Sequence, residues 1–115
     1  MTVKDVISEL GLTQVAGEEG RLLRHISGGY ASDLLSCVMA GASDGNVWVT
    51  LQAHPNVIAV ADLLNLACVI ITEDTRPDKE TLDRARERGI PILLTEAPTF
   101  SVVSRLVALG IEGNA

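Results

Sequence analysis

The chain has 115 residues, a length typical of one domain built around one hydrophobic core. Its content of 47% hydrophobic and 21% charged residues is typical of a globular chain and excludes a disordered one. The formal net charge of −6, with no basic run, argues against nucleic-acid binding. The most apolar stretch, residues 57–71, is too short to cross a membrane, and the N-terminus lacks the apolar segment of a signal peptide. We therefore expect a cytoplasmic protein whose residues 1–115 form a single domain, with no membrane contact.

The first 26 residues predict one helix and two short strands. Thr2 is suited to cap the helix, and Gly11 is suited to end it. The predicted bounds are 3–10 for the helix, 12–16 and 22–26 for the strands, and 17–20 for the turn between them. The two strands could form a hairpin or lie at the ends of a longer connection.

Two glycines follow the second strand and precede a helix predicted over residues 31–39. Gly28 and Gly29 stand where a loop that cradles a phosphate would be expected. The pattern is incomplete, because the chain has no Walker sequence (GxxxxGK[ST]) and no lysine nearby. The alternative is a tight turn in which glycine supplies a positive φ.

Apolar strands alternate with helices through the second half of the chain. The predicted bounds are 47–51, 67–72 and 91–95 for the strands, and 55–66, 78–88 and 99–109 for the helices. The strands are nearly continuous apolar runs, which is typical of parallel strands buried on both faces. The predicted fold class is therefore α/β, a three-layer sandwich with a mainly parallel sheet flanked by helices.

A threonine ends each of these three strands. Because the carboxyl ends of parallel strands meet at one edge of a sheet, we expect Thr50, Thr72 and Thr95 to lie along that edge with the N-termini of the following helices. Helix N-termini favour anions, so the edge is a candidate site for an anionic ligand. Alternatively, the hydroxyls satisfy backbone groups at the strand ends.

Three further side chains are expected at the same edge. His54 stands at a helix start, where it could cap the helix, contact a ligand or be solvated. Glu73 and Asp74 could bind Mg²⁺ together with a substrate phosphate, or could complement a helix dipole. Neither His25 nor His54 has further ligands at metal spacing, so we predict no metal site and no cofactor. No nucleophile, base and orienting group occur together, so we do not expect an enzyme.

The helix predicted over residues 55–66 has almost no polar face. A crossover helix on a small sheet should expose one, so this helix is either covered on both sides or meets another subunit. We predict that it forms a homodimer contact. The residues assigned to that contact are Val57, Val60, Ala61 and Leu64.

Two other groups of side chains are expected in the core. The last helix should pack Val102, Val103, Leu106 and Val107 against the sheet. Cys37 and Cys68 fall in a predicted helix and a predicted strand, which favours buried free thiols over a disulfide.

Six short motifs, taken in chain order, carry a family resemblance. They are Gly28-Gly29-Tyr30, Gly45-Asn46-Val47-Trp48-Val49-Thr50, His54-Pro55-Asn56, Ile70-Ile71-Thr72, Pro77-Asp78 and Ile90-Pro91-Ile92-Leu93. Together they resemble the DRTGG domain family, in particular its small stand-alone members, over about residues 27–109. DRTGG domains are similar to the N-terminal domain of HPr kinase/phosphorylase, and they occur beside phosphotransacetylase domains and between the CBS domains of some pyrophosphatases. The resemblance implies an α/β accessory or regulatory domain that tends to dimerise.

The residues that give the family its name differ in this chain. By position, the family's Asp-Arg pair falls at about His54-Pro55, and its glycine pair falls at about Glu73-Asp74. A glycine loop that admits a ligand is therefore not implied here, and kinase activity is not implied because the P-loop is absent. We predict a non-enzymatic regulatory or accessory domain that acts by protein contact as a homodimer. The alternative is a sensor that binds an anionic metabolite or nucleotide at the carboxyl edge of the sheet.

Overall fold

The computed structural model describes residues 1–114 as five α-helices, one 3-10 helix and five strands. The helices are α1 (Val3–Leu10), α2 (Leu35–Gly41), α3 (Pro55–Leu63), α4 (Lys79–Arg88) and α5 (Thr99–Ala108), and the 3-10 helix is Glu19–Leu23. The strands are β1 (Thr13–Ala16), β2 (Gly28–Ala31), β3 (Asn46–Thr50), β4 (Cys68–Ile71) and β5 (Ile92–Leu94). Within the described residues, none of the helices has the length and apolar character needed to span a membrane.

The five strands form one sheet in the order β1-β5-β4-β3-β2. Strands β2 to β5 are parallel to their neighbours, and β1 is antiparallel to β5. Helices α2, α3 and α4 connect successive parallel strands and pack on one face of the sheet, whereas α1 and α5 pack on the other. The predicted α/β sandwich with a mainly parallel sheet flanked by helices is confirmed.

The central strands are buried on both faces, which explains their continuous apolar sequences. In β3, Val47 and Val49 belong to the core beneath α1 and α5, whereas Trp48 belongs to the core beneath α2, α3 and α4. The Trp48 indole N–H donates to the Ser32 carbonyl oxygen at 2.9 Å. The largest side chain of the core is therefore fully buried with its single donor satisfied.

The apolar helix α3 is covered on both sides by neighbouring helices of the same protomer. It lies between α2 and α4 on the sheet, and the side chains of Val57, Val60 and Ala61 are 0%, 7% and 1% exposed. Leu64, at the C-terminal end of α3, is half-buried and packs against the same core. The prediction that these residues form a dimer contact is wrong for the three buried side chains, because neighbouring helices already supply the second cover.

The strand predicted over residues 22–26 is also wrong. The segment begins as the 3-10 helix, and His25 makes only an isolated bridge with Thr2. The reason is that the segment packs beside the start of α1 instead of joining the sheet: the Ile26 N–H donates to the Met1 carbonyl oxygen at 2.9 Å. Strand β1 consequently pairs with β5 at the far end of the chain and does not form a hairpin.

The two cysteines are free but differ in their surroundings. Cys68 is fully buried in β4, and this burial raises the pKa of its thiol to about 12. Cys37 is exposed, so the expectation that it is buried is wrong. In the short helix α2 it is the next residue, Val38, that packs against the sheet.

Gly28 and Gly29 form strand β2, and the predicted phosphate loop is wrong. Neither glycine has a positive φ, which also excludes the alternative of a tight turn, and helix α2 begins only at Leu35. The C-terminal segment lies against β2, where the Gly29 N–H donates to the Glu112 carbonyl oxygen at 2.9 Å. A Cβ atom at Gly28 would lie 2.9 Å from that same oxygen. Gly28 is therefore required for the close approach of two backbone segments.

We expect Gly28→Ala to lower the free energy of unfolding by about 1–3 kcal/mol, because the added methyl group must displace the backbone at Glu112. Gly29→Ala is the matched control, since its Cβ atom would meet its nearest neighbours at an ordinary 3.5 Å, and we expect a change within about 0.5 kcal/mol. Guanidinium denaturation followed by Trp48 fluorescence measures both. Equal effects of the two substitutions would show that the C-terminal segment does not restrict Gly28.

Candidate functional site

The carboxyl edge of the parallel sheet contains the three threonines predicted there. Thr50 is the last residue of β3 and Thr72 follows directly after β4, both fully buried, and Thr95 follows β5 and is half-exposed. Gly28 and Gly29 are not part of this edge, because they pair with Asn46 and Val47 at the amino end of β3. The structure thus brings the threonines together and separates them from the glycines.

The Thr50 hydroxyl is bound within the chain by Asp33, a residue of the loop that precedes α2. Thr50 Oγ1 donates to Asp33 Oδ1 at 2.8 Å, and the Leu51 N–H donates to the same carboxylate oxygen at 2.8 Å. The Gln52 N–H in turn donates to Thr50 Oγ1 at 3.1 Å. The sequence analysis did not include Asp33 in the site, because only the pairing of β2 with β3 places it beside Thr50.

Thr72 and Glu73 are occupied by the start of helix α5. The Thr72 and Thr99 hydroxyl oxygens lie 2.6 Å apart. The Thr99 N–H donates to Glu73 Oε2 at 2.8 Å, although α5 begins after Pro98, which has no side chain able to cap a helix. Glu73 therefore caps α5 from a different loop and complements its dipole.

The other two long helices at this edge have caps from their own sequence. His54 Nδ1 accepts the Asn56 N–H at 3.1 Å, so of the alternatives considered for His54 the structure shows helix capping. Asp78 Oδ1 accepts the Thr81 N–H at 2.9 Å at the start of α4. That hydrogen bond lowers the pKa of the Asp78 carboxyl below its ordinary value.

These contacts leave the edge without an open anion site among the described residues. The N-termini of α3, α4 and α5 each bind a side chain of the chain itself, and no buried side-chain nitrogen or oxygen in residues 1–114 lacks a partner. No group of three or more histidine, cysteine or acidic side chains in that range is placed to hold a metal ion. An anion would have to displace the His54 imidazole at α3, or a carboxylate at α4 or α5, to take the place of these caps.

A cavity of about 340 Å³ opens beside the loops that follow β4 and β5. These loops lead to helices on opposite faces of the sheet, which is where open α/β sheets bind ligands. The polar side chains that line the cavity are Thr13, Asp74, Thr75, Arg76, Thr95 and Glu96. Carboxylates outnumber the one guanidinium, which is itself 3.4 Å from Asp74 Oδ1.

Helix α5 presents apolar side chains to solvent as well as to the sheet. Val102 and Leu106 are buried, but Phe100 is 84% exposed, Val107 is 57% exposed and Val103 is only partly buried. The expectation that Val103 and Val107 pack inward with Val102 and Leu106 is therefore wrong for Val107. Residues four apart lie on the same face of a helix, and in α5 the face with Val102 and Leu106 packs on the sheet. Val103 and Val107 lie on the adjacent face, which turns toward solvent. We call Phe100, Val103 and Val107 the α5 stripe.

A small apolar groove adjoins the α5 stripe. Its volume is about 90 Å³, and Val103 and Val107 form one side of it. Leu106 of α5 also lines it, and the rest of its lining comes from β2, β3 and the C-terminal segment, namely Gly29, Tyr30, Ala31, Val49, Ile111, Glu112 and Gly113. The stripe and this α5 groove together form one continuous apolar surface at the β2 end of the sheet.

A family model described as the DRTGG domain matches residues 12–109. The chain belongs to the DRTGG domain family. This chain is similar to a solved structure of the CBS and DRTGG domains of the regulatory region of Clostridium perfringens pyrophosphatase, which was complexed with the activator diadenosine tetraphosphate. The TM-score is 0.76, and the match covers 92% of this chain. The two sequences are 16% identical, so the likeness shows the fold, and the chain spans 46% of the length of that structure.

The loop after β4 in this DRTGG domain has an unusual backbone. Glu73 and Asp74 have φ values of +61° and +57°, in the left-handed region that favours glycine. By resemblance, these are the positions of the family's glycine pair. Their N–H groups donate to the carbonyl oxygens of Ala97 and Thr95 at 3.0 and 3.1 Å, which holds the loop in place. Glu73 and Asp74 therefore adopt a backbone conformation typical of glycine, although both have acidic side chains.

We expect Asp74→Gly to raise the free energy of unfolding by about 0.5–1 kcal/mol. The left-handed conformation costs a non-glycine residue about 1–2 kcal/mol, and the greater freedom of glycine in the unfolded chain offsets part of the gain. Glu73→Gly relieves the same strain but removes the α5 cap, worth about 1 kcal/mol, so we expect no net gain. Chemical denaturation of both variants measures the difference. A destabilised Asp74→Gly variant would contradict the assignment of strain to this position.

Proposed function

We propose that this DRTGG domain is a non-enzymatic regulatory or accessory domain that acts by protein contact as a homodimer. The α5 stripe is the observation that carries the proposal. A helix with apolar residues on its outer side is typical of a helix that packs against a further element, and the other helices of the chain do not cover this one.

The carboxyl edge supports a non-enzymatic role. Its hydroxyls and acidic side chains are engaged in capping and in strand-end hydrogen bonds, as Thr50 with Asp33 and Glu73 with Thr99 illustrate. Such contacts stabilise loops, and the Asp33 carboxylate beside the Thr50 hydroxyl also accepts the Leu51 N–H, as expected of a group that fixes a strand end. The structurally similar Clostridium perfringens protein, in which a DRTGG domain belongs to a regulatory region, is consistent with a regulatory role for this chain.

The oligomeric state tests the proposal. We expect light scattering after size exclusion to give twice the mass of one chain at micromolar concentration. The dimer should persist in moderate salt, because an interface formed by apolar side chains is not screened by ions. A monomer over the whole micromolar range would contradict the proposal.

A second function is favoured by the cavity beside Asp74 and Thr95. This is a sensor that binds an anionic small molecule or nucleotide at the carboxyl edge of the sheet. The cavity lies where the loops after β4 and β5 diverge, and the similar regulatory region is described in complex with a nucleotide activator. Arg76 is 73% exposed in its side chain and is the cation positioned to reach a phosphate there.

Diadenosine tetraphosphate is the probe that we would use for this second function. A ligand at a hundred times its dissociation constant stabilises the fold by about 2.7 kcal/mol, which a thermal-shift experiment detects easily. We expect Arg76→Ala to reduce that shift. Arg84→Ala on α4 is the matched control, since it removes another exposed arginine that is paired with a carboxylate but lies away from the cavity. No shift for the wild-type chain, or equal shifts for the two variants, would count against a ligand at this cavity.

A further inference from the structure

We infer that two copies of this chain associate through an antiparallel contact between their α5 helices, in which Phe100 of each protomer enters the α5 groove of the other. This inference rests on the proposed homodimer and specifies its surface. The contact would cover the exposed apolar side chains of α5 in both protomers at once.

The spacing of the α5 stripe fits a helix partner. Phe100, Val103 and Val107 follow one another at intervals of three and four residues, the spacing of a helix–helix seam. Ser104 and Ala108 lie beside them, and both are exposed and small enough for close approach of a second helix. The stripe therefore has both the apolar side chains and the room for a helix packed against it.

The same spacing is self-complementary, which favours a second copy over another partner. In a two-fold contact, a residue of the first copy that touches a given residue of the second copy implies the same contact with the two copies exchanged. Phe100 and Val107 are equally distant from the point between Val103 and Ser104, so an antiparallel pair centred there places Phe100 of each copy opposite Val107 of the other, and Val103 opposite Ser104. The antiparallel arrangement also sets the two helix dipoles in their favourable orientation.

Charge also favours contact at this surface. The chain has a net charge of −6, so two copies repel each other where acidic side chains meet. The residues of the stripe and the small residues beside it carry no charge, and Arg105 is turned away, where it donates to the Glu9 carbonyl oxygen at 2.7 Å. Apart from Glu112, which lines the α5 groove, the residues named for this contact carry no charge, so two copies can approach at α5 with few like charges brought together. Depletion of charge is the typical composition of an interface core.

The α5 groove supplies a receptor for the aromatic ring. It lies directly beside Val107, the residue that the antiparallel pairing sets opposite Phe100 of the second copy. Phe100 is 84% exposed, so it is free to enter the groove without leaving a cavity in its own protomer. An exposed aromatic side chain that fills an apolar pocket of the partner is the usual anchor of a protein interface.

Truncation of Phe100 tests the inference. We expect Phe100→Ala to raise the dimer dissociation constant at least about 30-fold, as measured by sedimentation velocity over a concentration series. The fold should be unaffected, because the side chain is exposed in the protomer. Leu34→Ala and Leu63→Ala are matched controls, since these leucines are 61% and 69% exposed on α2 and α3, on the other face of the sheet. We expect both controls to dimerise like the wild type.

A crosslink tests the antiparallel geometry. Ser104 lies next to the symmetry centre, so Ser104→Cys in a Cys37→Ser background should form a disulfide between protomers on mild oxidation. Leu63→Cys in the same background should form no disulfide between protomers, because α3 lies on the other face of the sheet.

The outcomes separate this inference from the proposed function. A wild-type monomer would overturn both. A wild-type dimer that survives Phe100→Ala, or that dissociates on Leu34→Ala or Leu63→Ala instead, would leave the homodimer standing and overturn the α5 contact. Loss of the dimer on Phe100→Ala without a Ser104 crosslink would overturn the antiparallel geometry, since Phe100 would then meet a different surface of the second copy.

Discussion

Burial of the parallel strands on both faces is the constraint on which the rest of this DRTGG domain depends. Strands such as β3 and β4 have no polar side to expose, so helices must cover the sheet above and below. Three crossover helices complete one face, and this leaves only α1 and α5 for the other. Within residues 1–114 no further element covers the outer side of α5, and the α5 stripe is the consequence.

The carboxyl edge of the sheet, unlike the buried strands, is rich in polar groups. These groups form hydrogen bonds that order the loops. Asp33 accepts hydrogen bonds at the end of β3, and Glu73 accepts one at the start of α5. The left-handed backbone at Glu73 and Asp74 is retained where the resemblance places glycines in relatives. The Glu73 side chain caps a distant helix and so offsets the strain of its own backbone, which explains Glu73 by structure before any ligand is considered.

The two surfaces therefore differ in what they offer a partner. The edge presents hydrogen-bonded groups and a polar cavity in which carboxylates outnumber the single arginine, whereas α5 presents uncharged side chains beside an apolar groove. Association through α5 would remove apolar surface from water at little electrostatic cost, while a polyphosphate at the edge would meet Asp74 and Glu96. This difference is why the physical argument favours protein contact over ligand sensing.

The sequence by itself determined the fold class, the alternation of strands and helices after residue 46, the capping of α1 and the position of the threonines at one edge, because these follow from periodicity and local caps. It also carried the family resemblance. Only the tertiary structure decided that Gly28 and Gly29 begin a strand beside the C-terminal segment, that Asp33 reaches Thr50, and that α5 has an exposed apolar stripe whereas Val57, Val60 and Ala61 of α3 are buried. Helices α3 and α5 both have apolar residues on more than one face. Whether such a helix is covered depends on which elements pack beside it. The topology of the whole chain sets those neighbours, and the local sequence of the helix does not predict them.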